Sequence, residues 1–411
     1  MSHPISRDPD VATLSARETG RQNATLTLIA SENYASPAVL DAAGSALTNK
    51  YVDGYPGARD YPGCEVCDAV EDLARHRLCR LFGVDHANVQ PYSGSVANLA
   101  VYCAVLNPGD RILSMRTGDG GHHTHGSPEH LSGRLYRAEH YGVDPATGLL
   151  DYAEVAAAAR RTKPDLLICG ASFYPRTIDF SAFAEIAEET GALCLADIAH
   201  IAGLIAGREH PSPAGAVPLI TTTTHKTLRG PRGGAILCDG EYAERIDAAV
   251  YPCLQGGPLM HIIAAKAVCF AEAQTPAYQD YCRRVVANAR TLAAALEAEG
   301  FTPVTGGTDT HLLVLDLTGE GWNGIEAEEA LYHAGIAADR CPVPGRGEEY
   351  DTAGGIRLGT PAATTRGMGK EEMKALASLI ADVLRNPGDP HRIDAMRCEV
   401  EALAERFPVF P

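Results

Sequence analysis

Between residues 165 and 238 short apolar runs and amphipathic stretches take turns, and this alternation restricts the fold more than any other feature. DLLICGA (165–171) reads as a buried strand, SAFAEIAEETGA (181–192) as a helix and LCLAD (193–197) as another strand, with LITTTT (219–224) and GAILC (234–238) after it. Apolar runs this short, with no polar alternate face, need cover on both sides. Strands separated by helices predict an α/β fold built on a mostly parallel sheet. Upstream, Ser36-Pro37 starts a helix with Val39, Leu40, Ala43 and Leu47 on one face. A second helix spans roughly 65–82, with Val70, Leu73, Leu78 and Leu81 facing inward. Near residue 280 the pattern changes: a helix over about 279–299 leads to HLLVLDL (311–317), a helix at 325–333, the strand GIRLG (355–359) and a helix at 370–385. Two domains are expected, an N-terminal arm with a large domain over 1–278 and a small C-terminal α/β domain over 279–411. The glycine-rich segment 344–355 reads as a loop near a site.

A net charge of −17 opposes nucleic-acid or anionic-membrane partners. The N-terminal MSHPISRDPDVATLSARETG lacks the apolar core of a signal peptide, and no apolar stretch is long enough to span a membrane. The twelve cysteines are scattered, several inside apolar runs (Cys169, Cys194, Cys238), which favours reduced thiols and a cytoplasmic protein. Cys64-Glu-Val-Cys67 has the spacing of half a zinc site, but no second CxxC or HxxxH pair accompanies it, so no metal is expected.

TTTTHKTLRGPRGG (221–234) sets Lys226 beside His225, behind β-branched hydroxyl residues and ahead of a glycine-rich turn. A sheltered lysine loses its proton and adds to a carbonyl as an amine. The aldehyde most often presented to it is pyridoxal phosphate (PLP), an electron sink for carbanion chemistry. Taken alone, a surface lysine in a polar loop explains the segment equally well. Ser93-Gly94-Ser95, ahead of the apolar helix VANLAVYCAVL, makes a phosphate cradle or merely a helix cap. Asp197, ending LCLAD, pairs with a pyridinium nitrogen or caps the next helix. In GGHHTHG (120–126) the glycines suggest a loop bent around a flat ligand, with His122 stacked on an aromatic ring; a metal cluster is the alternative. Arg357, framed by Gly355 and Gly359, suits a bidentate carboxylate contact or a surface ion pair. Phosphate loop, stacking histidine, aspartate, lysine and arginine occur in the order of a fold-type I PLP enzyme, the aspartate aminotransferase type, whose cofactor sits at strand ends between two domains. GxxxxGK[ST] is absent, so nucleoside triphosphate chemistry has no support.

LIASENYAS (28–36), LTNKYVDGYPG (47–57), ANVQPYSGS (87–95), HTHGSP (123–128), DIAHIAGL (197–204), TTTTHKTLRGPRGG (221–234), QGGPLMH (255–261) and GIRLGTPA (355–362) resemble serine hydroxymethyltransferase. The resemblance, from about residue 20 to the C-terminus, implies a PLP-dependent transferase in which Lys226, next to His225, forms the internal aldimine. It implies that Asp197 meets the pyridine nitrogen, His122 stacks on the ring, and Ser93, Gly94 and Ser95 hold the phosphate. His200 and Ser172 would contact the 3′-hydroxyl side of the cofactor. Arg357 and Ser31 would bind the amino-acid carboxylate, with Tyr51, Tyr61 and His200 also at the substrate. Arg232 would help keep Lys226 deprotonated. Tyr51, Tyr61, Gly256 and Gly257 would enter from a neighbouring subunit, implying a homodimer with shared active sites.

Departures from the family pattern gather where folate would bind. A proton-managing glutamate is Asp53 here, its carboxylate withdrawn by roughly 1 Å, and misplacement on that scale costs about a hundredfold in rate. The first tyrosine of a Tyr-Tyr pair is Asp60, leucines flanking the pterin are Thr117 and His123, and the phenylalanine before the Gly-Gly loop is Tyr251. Where the family has Asn-Lys-Asn the chain has Asp339-Arg340-Cys341, and a cysteine at 341 cannot reproduce an amide's paired donor and acceptor. These changes lean towards folate-independent chemistry on a β-hydroxy-α-amino acid. Retro-aldol cleavage through a glycine quinonoid, with Asp53 or a water it positions as acid and base, would end in protonation (an aldolase) or attack on a second aldehyde (a transaldolase). The alternative is a true tetrahydrofolate-dependent hydroxymethyltransferase, acting on glycine/serine or an α-methyl analogue, with a remodelled folate pocket. A catalytically idle PLP-binding scaffold is opposed by the intact lysine, aspartate and arginine.

Overall fold

The computed structural model describes residues 8–347, 353–386 and 389–409. The apolar runs form a seven-stranded sheet. In chain order its strands are β1 (His86–Asn88), β2 (Arg111–Met115), β3 (Arg137–Tyr141), β4 (Leu166–Cys169), β5 (Leu193–Asp197), β6 (Leu219–Thr223) and β7 (Gly234–Cys238). Across the sheet they lie β1-β7-β6-β5-β4-β2-β3. Strands β2 to β6 pair in parallel, while β7 runs antiparallel to both β1 and β6. The reversal has a plain cause. A parallel return needs a crossover of about a dozen residues or more, and between Thr223 and Gly234 the chain is too short for one.

Alternate residues of each strand serve opposite faces. Leu167, Cys169, Cys194 and Ala196 face one side with Val155 and Phe183 from the helices Tyr152–Thr162 and Phe180–Thr190. Leu166, Ile168 and Leu195 face the other with Ala97, Val101 and Tyr102 from the helix Gly94–Val105. Because β2, β4, β5 and β6 run the same way, the segments after each emerge along one edge. The start of β7 joins them there, since Gly234 pairs with Thr223.

A second sheet is antiparallel: β8 (Thr302–Pro303), β9 (Leu312–Asp316), β10 (Asp339–Cys341) and β11 (Gly355–Gly359), in the order β8-β9-β11-β10. The helix Pro276–Ala298 links the two cores, with Tyr281 and Val285 in the first and Leu292 and Leu296 in the second. It starts before the expected 279 because the Thr275 hydroxyl caps it and Pro276 occupies its first turn. The N-terminal arm, grouped on sequence grounds with the large domain, sends Leu26 and Leu28 into the second core, and Leu26–Thr27 pairs in parallel with Ile336–Ala337.

The helix Glu65–Phe82 lies where expected and turns Leu78 inward as read, with Val70 and Leu81 half-buried against the first core. Leu73, expected inward, is 44% exposed. Cys67, Ala74, Phe82 and a carboxylate complete the buried face: Glu71 accepts from Arg59 at 2.6 Å and from Gln90 at 2.8 Å, which satisfies its buried oxygens. Of the glycine-rich segment 344–355, residues 348–352 lie outside those described; Gly345 donates its amide to Asp119 at 2.8 Å. Among the described residues no helix is long and apolar enough to cross a membrane.

Candidate active site

Asp197 ends β5 with its carboxylate tied on both oxygens. Oδ2 accepts from His125 Nε2 at 2.9 Å and from Asn98 Nδ2 at 2.8 Å, and Oδ1 accepts from the Ala199 amide at 3.0 Å. Asn98 is itself fixed, its Oδ1 accepting from Thr221 Oγ1 at 2.6 Å. Burial pushes the Asp197 carboxyl up, but the hydrogen bonds and charge facing it outweigh burial and hold it below the usual carboxylate range. An anion is therefore preserved at the strand end.

The segment between β6 and β7 closes on itself. Thr224 donates its amide to Gly233 O at 3.1 Å and its hydroxyl to Pro231 O at 2.6 Å, and Gly230 donates to Thr224 O at 2.7 Å. Thr223 Oγ1 donates to Ala199 O, and Thr227 Oγ1 to His200 O. Every hydroxyl in the threonine run is used in this way, so buried polar groups harden the loop that presents Lys226. Asn33 Nδ2 holds the Lys226 carbonyl at 3.0 Å. Burial lowers the Lys226 amine to about 8; Asp197 pulls it back up, and Arg357 and Arg232 push it further down. The role expected of Arg232 in deprotonating the lysine thus has a physical basis, with Arg357 acting alongside it.

Lys226 lines a cavity of about 170 Å³ that gathers Ser93, Gly94, Ser95, His122, Ser172, Asp197, His200, His225 and Arg232. Ser93 caps the helix Gly94–Val105, its Oγ accepting from Val96 N at 3.2 Å, so the helix opens onto the cavity with amides and hydroxyls together. The packing here admits no side chain: a Cβ on Gly94 would lie 2.7 Å from Thr223 Cγ2, and one on Gly234 2.3 Å from Ser93 O. His122 Nδ1 meets the Thr124 hydroxyl at 2.8 Å and the Thr124 amide at 3.3 Å, which fixes the ring. Burial lowers His122 and His225 to about 3, so both rings are neutral at neutral pH. His200 is likewise buried and neutral, stacked on His311 at 5.6 Å between centroids. An anion at one end, a helix start at the other and a readily deprotonated lysine and a neutral imidazole between them fit the nitrogen, phosphate, aldehyde and ring of PLP.

Arg357, on β11, reaches this wall from the second sheet: Nη1 donates to Ser172 O at 2.7 Å, while Nε and Nη2 grip Asp339. Ser31 lies in an adjoining cavity that shares His225 and Arg232. Tyr51, Asp53, Tyr61, Gly256 and Gly257 are not among the residues around Lys226. Most of them gather elsewhere: Tyr51 and Tyr61 meet edge to face at 5.2 Å, and a Cβ on Gly257 would lie 2.6 Å from Asp53 Oδ1, itself buried with no partner. Asp53, expected beside the reacting carbon, thus stays with Tyr51 in one chain. Asp60 accepts from Tyr251 Oη at 2.6 Å. Thr117 is half-buried and His123 exposed, while Cys341 is buried in an apolar cluster with Phe173, Val304, Val314 and Val343.

Asn98, His311 and Asp339 carry parts of the site that sequence reasoning missed. A lone amide inside VANLAVYCAVL was the available signal for Asn98; for His311 none exists, since its partner is remote in the chain.

Strand-end aspartate, helix-start hydroxyls and a poised lysine on this sheet define a PLP-dependent enzyme of fold type I. The profile of the family described as serine hydroxymethyltransferase matches residues 5–380. A relative named serine hydroxymethyltransferase, from Methanospirillum hungatei JF-1, is 54% identical over 411 residues, 100% of this chain and 99% of its own. The chain belongs to the serine hydroxymethyltransferase family and is a PLP-dependent enzyme of Cα–Cβ bond chemistry.

The lowered lysine gives a pH test. Only the neutral amine adds to an aldehyde, so the rate at which cofactor-free protein captures pyridoxal should rise through pH about 8 and level off above it. An unperturbed lysine would keep rising to about 10.4. Absorbance of the Schiff base against pH is the measurement, and a rate still climbing above about 9.5 would refute the shift.

Proposed function

We propose that this chain transfers a hydroxymethyl group between serine and glycine with tetrahydrofolate as carrier. The meeting of Lys226 and Asp197 at one cavity, with Arg357 held behind its Ser172 wall, carries the reading, and the name of the 54% identical relative supports it. Lys226 holds the cofactor; Ser93, Gly94 and Ser95 take its phosphate, His122 covers the ring, and Ser172, His200 and His225 complete the wall. Bound there, PLP supplies a sink for the electron pair left at the amino-acid Cα. Asp197 stays ionised to hold a proton on the nitrogen facing it. Arg357 and Ser31 orient the amino-acid carboxylate, so the first domain (1–278) brings the cofactor groups and the second (279–411) the arginine. When the Cα–Cβ bond breaks, the proton of the β-hydroxyl leaves and an aldehyde forms; Asp53 takes that proton directly or through water.

Asp53, Tyr51, Tyr61, Gly256 and Gly257 serve this chemistry from a second copy of the chain. Their separation from the Lys226 cavity within one chain supports a homodimer with shared sites. So do exposed Leu40, Val66, Leu73 and Leu259, carried on or beside the helices Pro37–Ala43 and Glu65–Phe82 and the helix Met260–Ala273 on which both pack. Mixing Lys226→Ala and Asp53→Ala copies, each inactive alone, should restore about a quarter of wild-type turnover through mixed dimers. No recovery in dimers shown to exchange subunits would place Asp53 in its own chain's site.

A second reading, folate-independent cleavage of threonine-like substrates, is favoured by the hydrogen bond between Asp60 and Tyr251, which makes polar a surface where the family pattern has aromatic residues. Product mass separates the two. Serine should give glycine quickly only with tetrahydrofolate, and threonine should be cleaved slowly whether folate is present or not. Rapid threonine cleavage, with serine conversion indifferent to folate, would overturn the first reading.

A further inference from the structure

The arginine assigned to the amino-acid carboxylate already has a carboxylate of its own. Antiparallel register sets Asp339 on β10 directly opposite Arg357 on β11. Asp339 takes the guanidinium by one side, Oδ1 accepting from Nε at 3.2 Å and Oδ2 closing on Nη2, while Nη1 is committed to Ser172 O. Arg357 is only 7% exposed, and the Asp339 side chain 24%. This is no loose surface pair: a buried guanidinium held on the carbonyl of Ser172, a cavity-wall residue, is neutralised before any ligand arrives.

That has a consequence for binding. A substrate carboxylate approaching Arg357 meets a neutral pair, and its own charge leaves the cluster with net negative charge in a poorly solvated place. Like charges at such range repel appreciably even at the effective dielectric of a protein surface. Among the described residues, Glu328 on the helix Gly324–His333, itself paired with Arg340 at 2.5 Å, and Glu32 on the arm, facing Arg21 and Arg232, add negative field at Asp339, against Arg357 and the Ala30 amide. Proton uptake by Asp339 removes the conflict and leaves the guanidinium charge to balance the substrate carboxylate. Burial, the largest influence, already raises this carboxyl above its ordinary value, with Arg357 pulling it back.

We propose that Asp339 is a specificity-determining counter-carboxylate: it shares Arg357 with the α-carboxylate of the amino acid, weakens amino-acid binding, and takes up a proton as the substrate binds. This rests on the assignment of Arg357 above. It also gives a role to the aspartate that stands where the family motif has asparagine.

Dissociation constants for glycine, read from the cofactor absorbance of the holoenzyme between pH 5 and 8.5, test it. Asp339→Asn keeps the shape and one acceptor but removes the charge. It should tighten glycine about tenfold at pH 8. The sign with pH follows from the charge: ionised Asp339 opposes the ligand, so the ratio of wild-type to variant constants should fall towards one as pH drops and Asp339 gains its proton. A ratio that stays at or below one at every pH would overturn the proposal and leave Asp339 as a mere prop for the guanidinium. If Asp339→Asn loses the cofactor band, Asp339→Ser is read the same way. Arg357→Ala separates the underlying assignment, since glycine binding unchanged in that variant would remove Arg357 from the carboxylate site altogether.

Discussion

An ionised carboxylate kept at the end of a buried strand is the constraint on which the rest of the site depends. Left alone, Asp197 would be neutral in such surroundings, because desolvation favours the protonated acid. His125, Asn98 and the Ala199 amide keep it charged, and each comes from a different part of the chain. Asn98 rides on the helix that also presents the phosphate cradle, and Thr221 on β6 fixes Asn98 from the strand that leads to the lysine. The anion thus ties both ends of the proposed cofactor site to one sheet edge.

The lysine answers to the same field. Asp197 attracts its proton, while Arg357 and Arg232, together with burial, drive it off. Arg357 stands in two balances at once, since Asp339 tempers its charge on one side and the substrate carboxylate would do so on another. With Lys226 as the proposed cofactor anchor and Arg357 as the proposed carboxylate receptor within each other's field, amino-acid binding would couple to the protonation of both.

Much of this was legible in the sequence. Short continuous apolar runs alternating with amphipathic stretches made 165–238 readable as strands and helices, and the crowding of chemically loaded motifs between short strands pointed to the candidate site. What stayed hidden has specific causes. The inward face of the helix Glu65–Phe82 carries Glu71, and hydrophobic patterning cannot anticipate a carboxylate satisfied by Arg59 and Gln90. The reversal of β7 follows from loop length rather than from residue type. Cys341 aligned with a pocket position yet packs among apolar side chains. Asp339 looked like an ordinary substitution until strand register set it opposite Arg357. Pairings between residues distant in the chain leave no local signal.

The most direct measurement is the ¹⁵N chemical shift of the pyridine nitrogen in holoenzyme reconstituted with labelled PLP. An Asp197 kept ionised by His125 and Asn98 holds a proton on that nitrogen, so the shift should stay at the protonated position from pH 6 to 9, and Asp197→Ala should move it to the unprotonated one. A wild-type nitrogen found unprotonated at neutral pH would contradict the account.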